Sequence, residues 1–182
     1  MPIQKTIELF SFNELSESIQ QSLIKSFEID DWWDQWIIDD IESEAREMGI
    51  EDFDLQYSGF WSQGDGLSFT GKLSSDLIRK ILNDKISDNP DIETDNISVR
   101  IVRSFHHYVH NKTVNALIEG DLDAFSITNE ELENAFNDWK NDLCEEWYKT
   151  LKDHYEHITE EETIIAEYES WGPTFTENGQ TI

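Results

Sequence analysis

Three histidines lie close together near the middle of the chain and are the strongest candidates for metal binding. His106, His107 and His110 account for three of the five histidines, and imidazole is a common metal ligand. In an extended segment, His106 and His110 share one face while His107 points to the other. At most two of these ligands then converge, whereas a zinc site needs at least three. We therefore expect no metal centre and no cofactor, and we keep a metal-dependent hydrolase using His106, His110 and carboxylates as an alternative.

A pair of carboxylates, Asp40 and Glu44, has the spacing of one helical turn and could supply a general acid and a general base. On a helix, Glu44 falls inside the apolar stripe and Asp40 lies at its edge. A carboxylate among apolar side chains needs a partner or a shifted pKa. We expect a structural pairing with Arg100 or Arg103, unless the apolar stripe is narrower than the periodicity indicates.

The single cysteine and the glycine-rich turn also lack the features of a catalytic site. Cys144 has no adjacent basic residue, and the neighbouring Glu145 and Glu146 would raise the pKa of its thiol. The turn at residues 64–66 lacks the spacing and the lysine of a phosphate-binding loop. The sequence therefore supplies no catalytic residue, and we predict that the chain is not an enzyme.

Apolar periodicity predicts the helices that would position these side chains. Helical spacing of apolar residues recurs in five segments. The longest begins with a capping box formed by Thr128 and Glu131. The five predicted helices span residues 15–27, 30–48, 74–84, 128–158 and 160–170.

Alternating apolar and polar residues predict an antiparallel sheet of about four strands. Residues 53–57 and 67–69 flank the turn at residues 64–66 and form a hairpin. Two more strands are predicted at residues 97–102 and 105–114. Strands framed by helices are typical of an α+β fold with amphipathic helices packed on one side of the sheet. The tail after Pro173 would add a short edge strand or remain loose.

The composition is that of a folded and strongly acidic protein. The chain carries 40 acidic against 13 basic side chains, a formal charge of −27, and 12% of its residues are aromatic. That aromatic content separates it from disordered acidic chains, and its length predicts one domain over residues 1–182. The charge excludes direct binding of nucleic acid or of an anionic membrane surface. One cysteine and the lack of a long apolar segment predict a cytoplasmic protein.

The negative charge is concentrated in two blocks around a neutral centre. Residues 28–54 hold twelve acids and one base, residues 55–118 hold seven of each, and residues 119–169 hold seventeen acids and three bases. Averaged over the surface, the charge is about threefold less dense than on duplex DNA. Only a concentrated acidic face could therefore imitate DNA, which requires the two blocks to lie side by side; otherwise the charge serves solubility.

Six carboxylates on the predicted outer sides of two helices are the candidates for such a face: Asp39, Glu42, Glu131, Asp138, Asp142 and Glu145. Along the long helix the last four are separated by steps of roughly 10, 6 and 4.5 Å. Phosphates along one DNA strand are spaced on a comparable scale. We therefore predict that these residues contact a basic partner.

Three aromatic residues, Trp32, Phe60 and Trp61, are the least well explained by core periodicity. Exposed aromatic side chains often anchor protein–protein interfaces. Phe60 and Trp61 therefore define a second candidate surface for binding a partner.

Five motifs occur in order along most of the chain: Phe12-x-Glu14-Leu15-Ser16, Asp31-Trp32-Trp33, the passage from Met48-Gly49-Ile50 to Phe53-Asp54-Leu55, Tyr57 to Gly66, and Phe175-Thr176-Glu177-Asn178-Gly179. Together they resemble a family of small acidic proteins encoded mainly by bacteriophages and mobile elements, often described as antitoxin-like. The passage from Tyr57 to Gly66 is the most specific, and residues 74–96 carry no part of the resemblance. The resemblance implies a phage setting, in which such proteins inhibit host nucleases, restriction systems or other nucleic-acid-binding machinery. It implies no catalytic residues.

These observations lead to one functional prediction and, besides the metal-dependent hydrolase, one alternative. We predict a phage-encoded acidic inhibitor in the cytoplasm of a host cell, which binds the basic nucleic-acid-binding surface of a host protein. Its acidic helices would then make a salt-sensitive contact. The alternative is an antitoxin-like module that neutralises its partner through the aromatic surface near Phe60 and Trp61.

Overall fold

The computed structural model describes two compact units. The described residues are 7–85, 94, 96–104, 108–120 and 128–182. Residues 34–152 belong to what we call the central unit, and residues up to 33 together with those from 153 onward belong to the terminal unit. The single domain over residues 1–182 stays a prediction.

Five α-helices and four strands lie within the described residues. In chain order they are α1 (Glu17–Lys25), α2 (Gln35–Met48), β1 (Ile50–Tyr57), β2 (Leu67–Leu73), α3 (Ser75–Lys85), β3 (Ile97–Arg103), β4 (Val114–Gly120), α4 (Asn129–Thr159) and α5 (Glu161–Trp171). Short 3₁₀ helices at Phe12–Glu14 and Asn111–Thr113 precede α1 and β4. The predicted α+β class is confirmed, including the four-stranded antiparallel sheet and the long helix near the C-terminus. None of the described helices is both long enough and apolar enough to cross a membrane.

The sheet of the central unit is an antiparallel meander in the order β1-β2-β3-β4. The register aligns Leu73 with Val99, and both are buried, at 2% and 0% exposure. The next pair in the same two strands, Lys72 with Arg100, is exposed. Because successive side chains alternate between faces, one face of the sheet is buried and the other is polar.

The buried face packs against α4 through an aromatic cluster centred on Phe69. The Phe69 ring is fully buried and lies edge-on to Trp139 at 6.1 Å and to Trp147 at 5.4 Å between centroids. Phe53 completes the cluster, at 5.6 Å from Phe69 and 5.5 Å from Trp147. Aromatic pairs prefer such edge-on geometries, so the cluster holds α4 on the sheet.

The turn from α2 into β1 depends on a glycine. Gly49 has φ of +95°, a left-handed conformation that costs other residues energy. A Cβ at this position would also clash with the hydroxyl oxygen of Ser74, whose backbone N–H donates to the Gly49 carbonyl at 2.8 Å. The glycine thus allows α2, β1 and the start of α3 to approach closely.

The core of the terminal unit is formed by Phe12, Leu15 and Phe175, which are 3%, 7% and 1% exposed. Phe12 stacks on Tyr168 of α5 at 4.9 Å. The predicted edge strand in the tail is reduced to isolated backbone pairs, including one between Phe10 and Phe175.

The strand predicted at residues 105–114 is wrong over residues 108–113. Residues 105–107 lie outside the described residues, and the strand begins only at Val114. The segment before it folds into the 3₁₀ helix, where the Lys112 N–H donates to Nδ1 of His110 at 3.1 Å. The Thr113 hydroxyl donates to the His110 carbonyl at 2.7 Å. Such local side-chain bonds compete with strand pairing.

The helix predicted to begin at Asp30 begins five residues later, at Gln35. The side chain of Asp30 accepts a hydrogen bond from the Trp32 N–H at 2.9 Å. This bond favours a turn over the first turn of a helix, because it gives the backbone an alternative partner.

Candidate functional site

All six predicted acidic contact residues are exposed in the central unit, and several of them have local partners. On α2, Asp39 accepts a hydrogen bond from Nε2 of Gln35 at 2.8 Å, and Glu42 is exposed on the same helix. These two residues represent the first acidic block.

The predicted row on α4 is partly occupied by structural contacts. Glu131 accepts hydrogen bonds from the backbone and the hydroxyl of Thr128, at 2.8 and 2.9 Å, and these bonds lower the pKa of its carboxyl. Asp142 pairs with Lys85 of α3 at 2.9 Å. That hydrogen bond, together with the charge of Asp138, raises the pKa of the Lys85 ammonium. The row therefore attracts cations, but its carboxylates are not equally available to a partner.

Glu44 does not pair with either arginine, and its exposure agrees instead with the alternative expectation of a narrower apolar stripe. It is exposed, and it accepts a hydrogen bond at 2.9 Å from the indole nitrogen of the buried Trp147. Arg100 instead lies 3.4 Å from Glu119, and Arg103 lies 3.8 Å from Asp54. The Glu44 bond joins α2 to α4, and thus one helix from each acidic block.

The second predicted surface is the aromatic loop, residues 58–66 between β1 and β2. Phe60 is half-buried, because its ring packs on Tyr57 at 5.9 Å and on Tyr148 of α4 at 5.5 Å. Trp61 is 68% exposed, with the Lys152 ammonium 4.9 Å from the centre of its ring. Phe60 therefore anchors the loop to α4, and Trp61 is the member available to a partner. Trp32 is also exposed, but it belongs to the terminal unit.

Asp65 shapes the aromatic loop. One of its oxygens, Oδ2, accepts from the backbone N–H groups of Trp61 and Ser62, at 2.9 and 2.6 Å. Gly64 takes φ of +100° in the same turn. The loop is thus held in a defined conformation beside α4, where the Tyr148 hydroxyl donates to the Gly59 carbonyl at 2.8 Å.

A pocket of about 280 Å³ opens where the aromatic loop, the 3₁₀ helix before β4 and α4 meet. We call it the hairpin pocket. It is lined by Asp65, Gly66, Leu67, His110, Asn111, Lys112, Cys144, Glu145 and Tyr148. Of the predicted contact residues only Glu145 lines it, and its carboxylate accepts from Nδ2 of Asn111 at 3.3 Å.

A buried lysine supports the wall of this pocket. Lys140 is 2% exposed, and its ammonium donates to the carbonyls of Asn111 and Val114 at 2.7 and 2.6 Å. Burial lowers the pKa of this ammonium. One turn further along α4, burial raises the pKa of the Cys144 thiol to about 12, partly opposed by the charge of Lys140. The expectation of an unreactive cysteine thus has a physical basis in burial as well as in acidic neighbours.

Sequence reasoning missed most of the pocket. The sequence pattern predicts a turn at Asp65 and a strand at Asn111, whereas Asn111 lies in the 3₁₀ helix before β4. The available signal was Lys140, which occupies the apolar stripe of α4 four residues after Phe136 and three before Leu143. A lysine at such a position must reach buried acceptors.

The histidine cluster is only partly covered by the structure. His106 and His107 lie outside the described residues. His110 is committed to the local hydrogen bond with Lys112, and within the described ranges no group of three His, Cys, Asp or Glu side chains is arranged to hold a metal ion. The metal-dependent hydrolase stays an untested alternative.

Comparison with known proteins gives one family. No curated protein and no solved structure matches the chain. A family model described as a domain of unknown function, DUF8835, matches residues 32–161, which include the whole central unit, its aromatic loop and its pocket. Because this match spans more than two thirds of the sequence, the chain belongs to the DUF8835 family.

Proposed function

We propose that the chain is a protein-binding inhibitor, not an enzyme, and that its central unit binds the basic nucleic-acid-binding surface of a host protein. The formal charge of −27 supports attraction to a basic partner. The resemblance to small acidic proteins of bacteriophages and mobile elements supports a phage origin and a site of action in the host cytoplasm.

The observation that carries the proposal is the meeting of the acidic and aromatic candidate surfaces on α4. Tyr148 packs on Phe60, and it follows Glu145 by three residues on the same helix. Lys152, one turn later, lies over the exposed Trp61. An exposed tryptophan beside carboxylates combines the aromatic anchor of an interface with the charge that attracts a basic surface.

The local pairing of the acidic residues defines how the charge would act. Glu131 and Asp142 already have partners, so their oxygens are poorly placed to copy the positions of phosphates. The acidic helices instead contribute long-range attraction, which salt screens over about 8 Å at physiological ionic strength. Trp61 and the neighbouring carboxylates would make the short-range contact with the partner.

A capture experiment tests this role. The full chain is immobilised, bacterial lysate is applied at low salt, and captured proteins are challenged with salt and with duplex DNA. We expect a basic protein that is released by both, because the DNA would compete for the same surface. Asp138→Lys, Asp142→Lys and Glu145→Lys together should abolish capture.

A matched variant controls for the change in net charge. Glu28→Lys, Asp31→Lys and Glu162→Lys alter three exposed carboxylates of the terminal unit by the same total charge, and they should retain capture. Equal loss in both triple variants, or a captured protein that DNA does not displace, would contradict the proposal.

The exposure of Trp61 also favours a second candidate, the antitoxin-like module that binds through the aromatic loop. In that case Phe60→Ala with Trp61→Ala abolishes capture at every salt concentration, whereas the triple reversal on α4 leaves it intact. The two variant sets therefore separate the candidates.

A further inference from the structure

The hairpin pocket is formed partly by the aromatic loop, and its lining carries more acidic than basic side chains. Asp65 and Glu145 contribute two carboxylates, and Lys112 contributes the one cationic side chain among the lining residues. One oxygen of Asp65, Oδ2, accepts hydrogen bonds from the loop backbone. Within the described part of the chain, no group donates to its other oxygen.

Asn111, which lines the pocket, provides an independent observation, because one atom of its side-chain amide has no described partner. This side chain is 8% exposed, and its Nδ2 donates to Glu145 at 3.3 Å. Its Oδ1 is buried, and no described group donates to it. Buried polar atoms are nearly always hydrogen-bonded, so the wall formed by Asn111 and Glu145 is short of one donor.

An aromatic ring borders these acceptors. Tyr148 lines the pocket, and its ring is held by the hydroxyl bond to Gly59 and by the contact with Phe60. Burial, together with the charge of Asp65, raises the pKa of the Tyr148 hydroxyl, and both residues line the pocket. Carboxylates beside an aromatic ring match a guanidinium group, which forms paired hydrogen bonds with carboxylates and stacks on rings.

The size of the pocket is sufficient for one side chain. Its volume of about 280 Å³ lies just below the range of about 300–1,000 Å³ typical of small-molecule sites. It is several times the roughly 30 Å³ that a water molecule occupies in the liquid. One long side chain of a docked protein fits this space.

We propose that the hairpin pocket receives one arginine side chain of the basic partner, with its guanidinium between Asp65 and Glu145. This assignment rests on the proposed function, because that function supplies a partner with a basic surface. It adds a specific anchor point to an otherwise long-range attraction.

Titration of the full chain with N-acetyl-arginine amide, followed by amide NMR signals, tests the assignment. We expect saturable shifts of the signals from residues that line the pocket, such as Gly66 and Tyr148. The neutral analogue N-acetyl-citrulline amide should cause none, and N-acetyl-lysine amide should bind more weakly, because an ammonium cannot form the paired bonds.

Two neighbouring glutamates provide the matched variants. Glu145→Gln should weaken arginine binding at least threefold, whereas Glu146→Gln, which removes the same charge from an exposed residue outside the lining, should leave it unchanged. Lys112→Met should strengthen binding, because it removes a like charge from the pocket. Shifts that do not saturate, equal effects of the two glutamine variants, or equal binding of the lysine analogue would overturn the assignment.

The two proposals fail in different ways. If the arginine probe does not bind the pocket but the α4 reversals still abolish capture of a DNA-competed protein, the pocket assignment is wrong and the inhibitor role stands. If the probe binds the pocket and no salt-sensitive basic partner is captured, the inhibitor role is wrong and the arginine site stands.

Discussion

Labelling of Cys144 with a thiol reagent tests how firmly α4 is packed on the sheet, since this residue is the single cysteine of the chain. Burial raises its pKa from 9.0 to about 12. Only the thiolate reacts, and each unit of pKa changes the thiolate fraction tenfold at pH 8. The folded protein should therefore react about 1,000-fold more slowly with a disulfide reagent than the same protein in denaturing guanidinium chloride.

The dependence of the rate on pH separates reaction in the folded state from reaction through transient opening. Reaction in the folded state should keep rising tenfold per pH unit well above pH 9, because the thiol titrates near 12. Reaction through an opened form would level off near the ordinary thiol pKa. A folded-state rate within tenfold of the denatured rate at pH 8 would refute the packing described for α4.

Three further variants test local features. Gly49→Ala should lower the free energy of unfolding in urea by at least about 2 kcal/mol, against roughly 1 kcal/mol for Gly172→Ala. Both glycines have positive φ, but only at Gly49 would the added Cβ meet a neighbour. Equal losses in the two variants would contradict the clash. Glu44→Ala should lower the free energy of unfolding by about 1 kcal/mol, because it removes the hydrogen bond to the buried Trp147 indole. The control Glu42→Ala should change it by less than about 0.5 kcal/mol. Because the pKa of Glu131 is lower in the folded chain than its ordinary 4.5, its charge stabilises the fold above that value and this stabilisation is lost as the pH falls below it. The stability difference between the wild type and Glu131→Gln should therefore shrink between pH 5 and pH 3, and a constant difference would contradict the cap.

The long helix was predictable because two sequence signals, its apolar periodicity and its capping box, agree. Apolar residues recur at helical spacing, and Thr128 and Glu131 provide a capping box that the structure contains. The predicted range of residues 128–158 differs from the observed Asn129–Thr159 by one residue at each end. The hairpin of β1 and β2 was predictable for a similar reason, because alternation and turn glycines coincide.

The start of β4 was not predictable from alternation. The residues before Val114 alternate in a way that is typical of a strand, but the side chains of His110 and Thr113 bond to the local backbone. Lys140 then reaches the Asn111 carbonyl from α4. A tertiary contact of this kind cannot be read from the local sequence pattern, although it changes the structure that this pattern predicts.

The members of the candidate site were predictable, but their arrangement was not. Phe60, Trp61 and Glu145 were named from composition and periodicity as parts of two separate surfaces. Their proximity depends on the contact between Phe60 and Tyr148, two residues far apart in the sequence. No periodicity relates such distant segments, and only the packing of α4 on the sheet brings them together.

The ion pairs of the sheet bear on how copies of this protein behave toward one another. Lys72, Arg100 and Arg103 lie beside Glu51, Glu119 and Asp54 respectively. Each such pair adds little to stability, but together they leave the three sheet cations already screened by a carboxylate of the same molecule. In a concentrated solution, the acidic helices of one copy would then have no unpaired sheet cation of another copy to bind. The high negative charge would instead make the copies repel one another. We therefore expect light scattering at low ionic strength to show net repulsion between copies, which added salt should weaken.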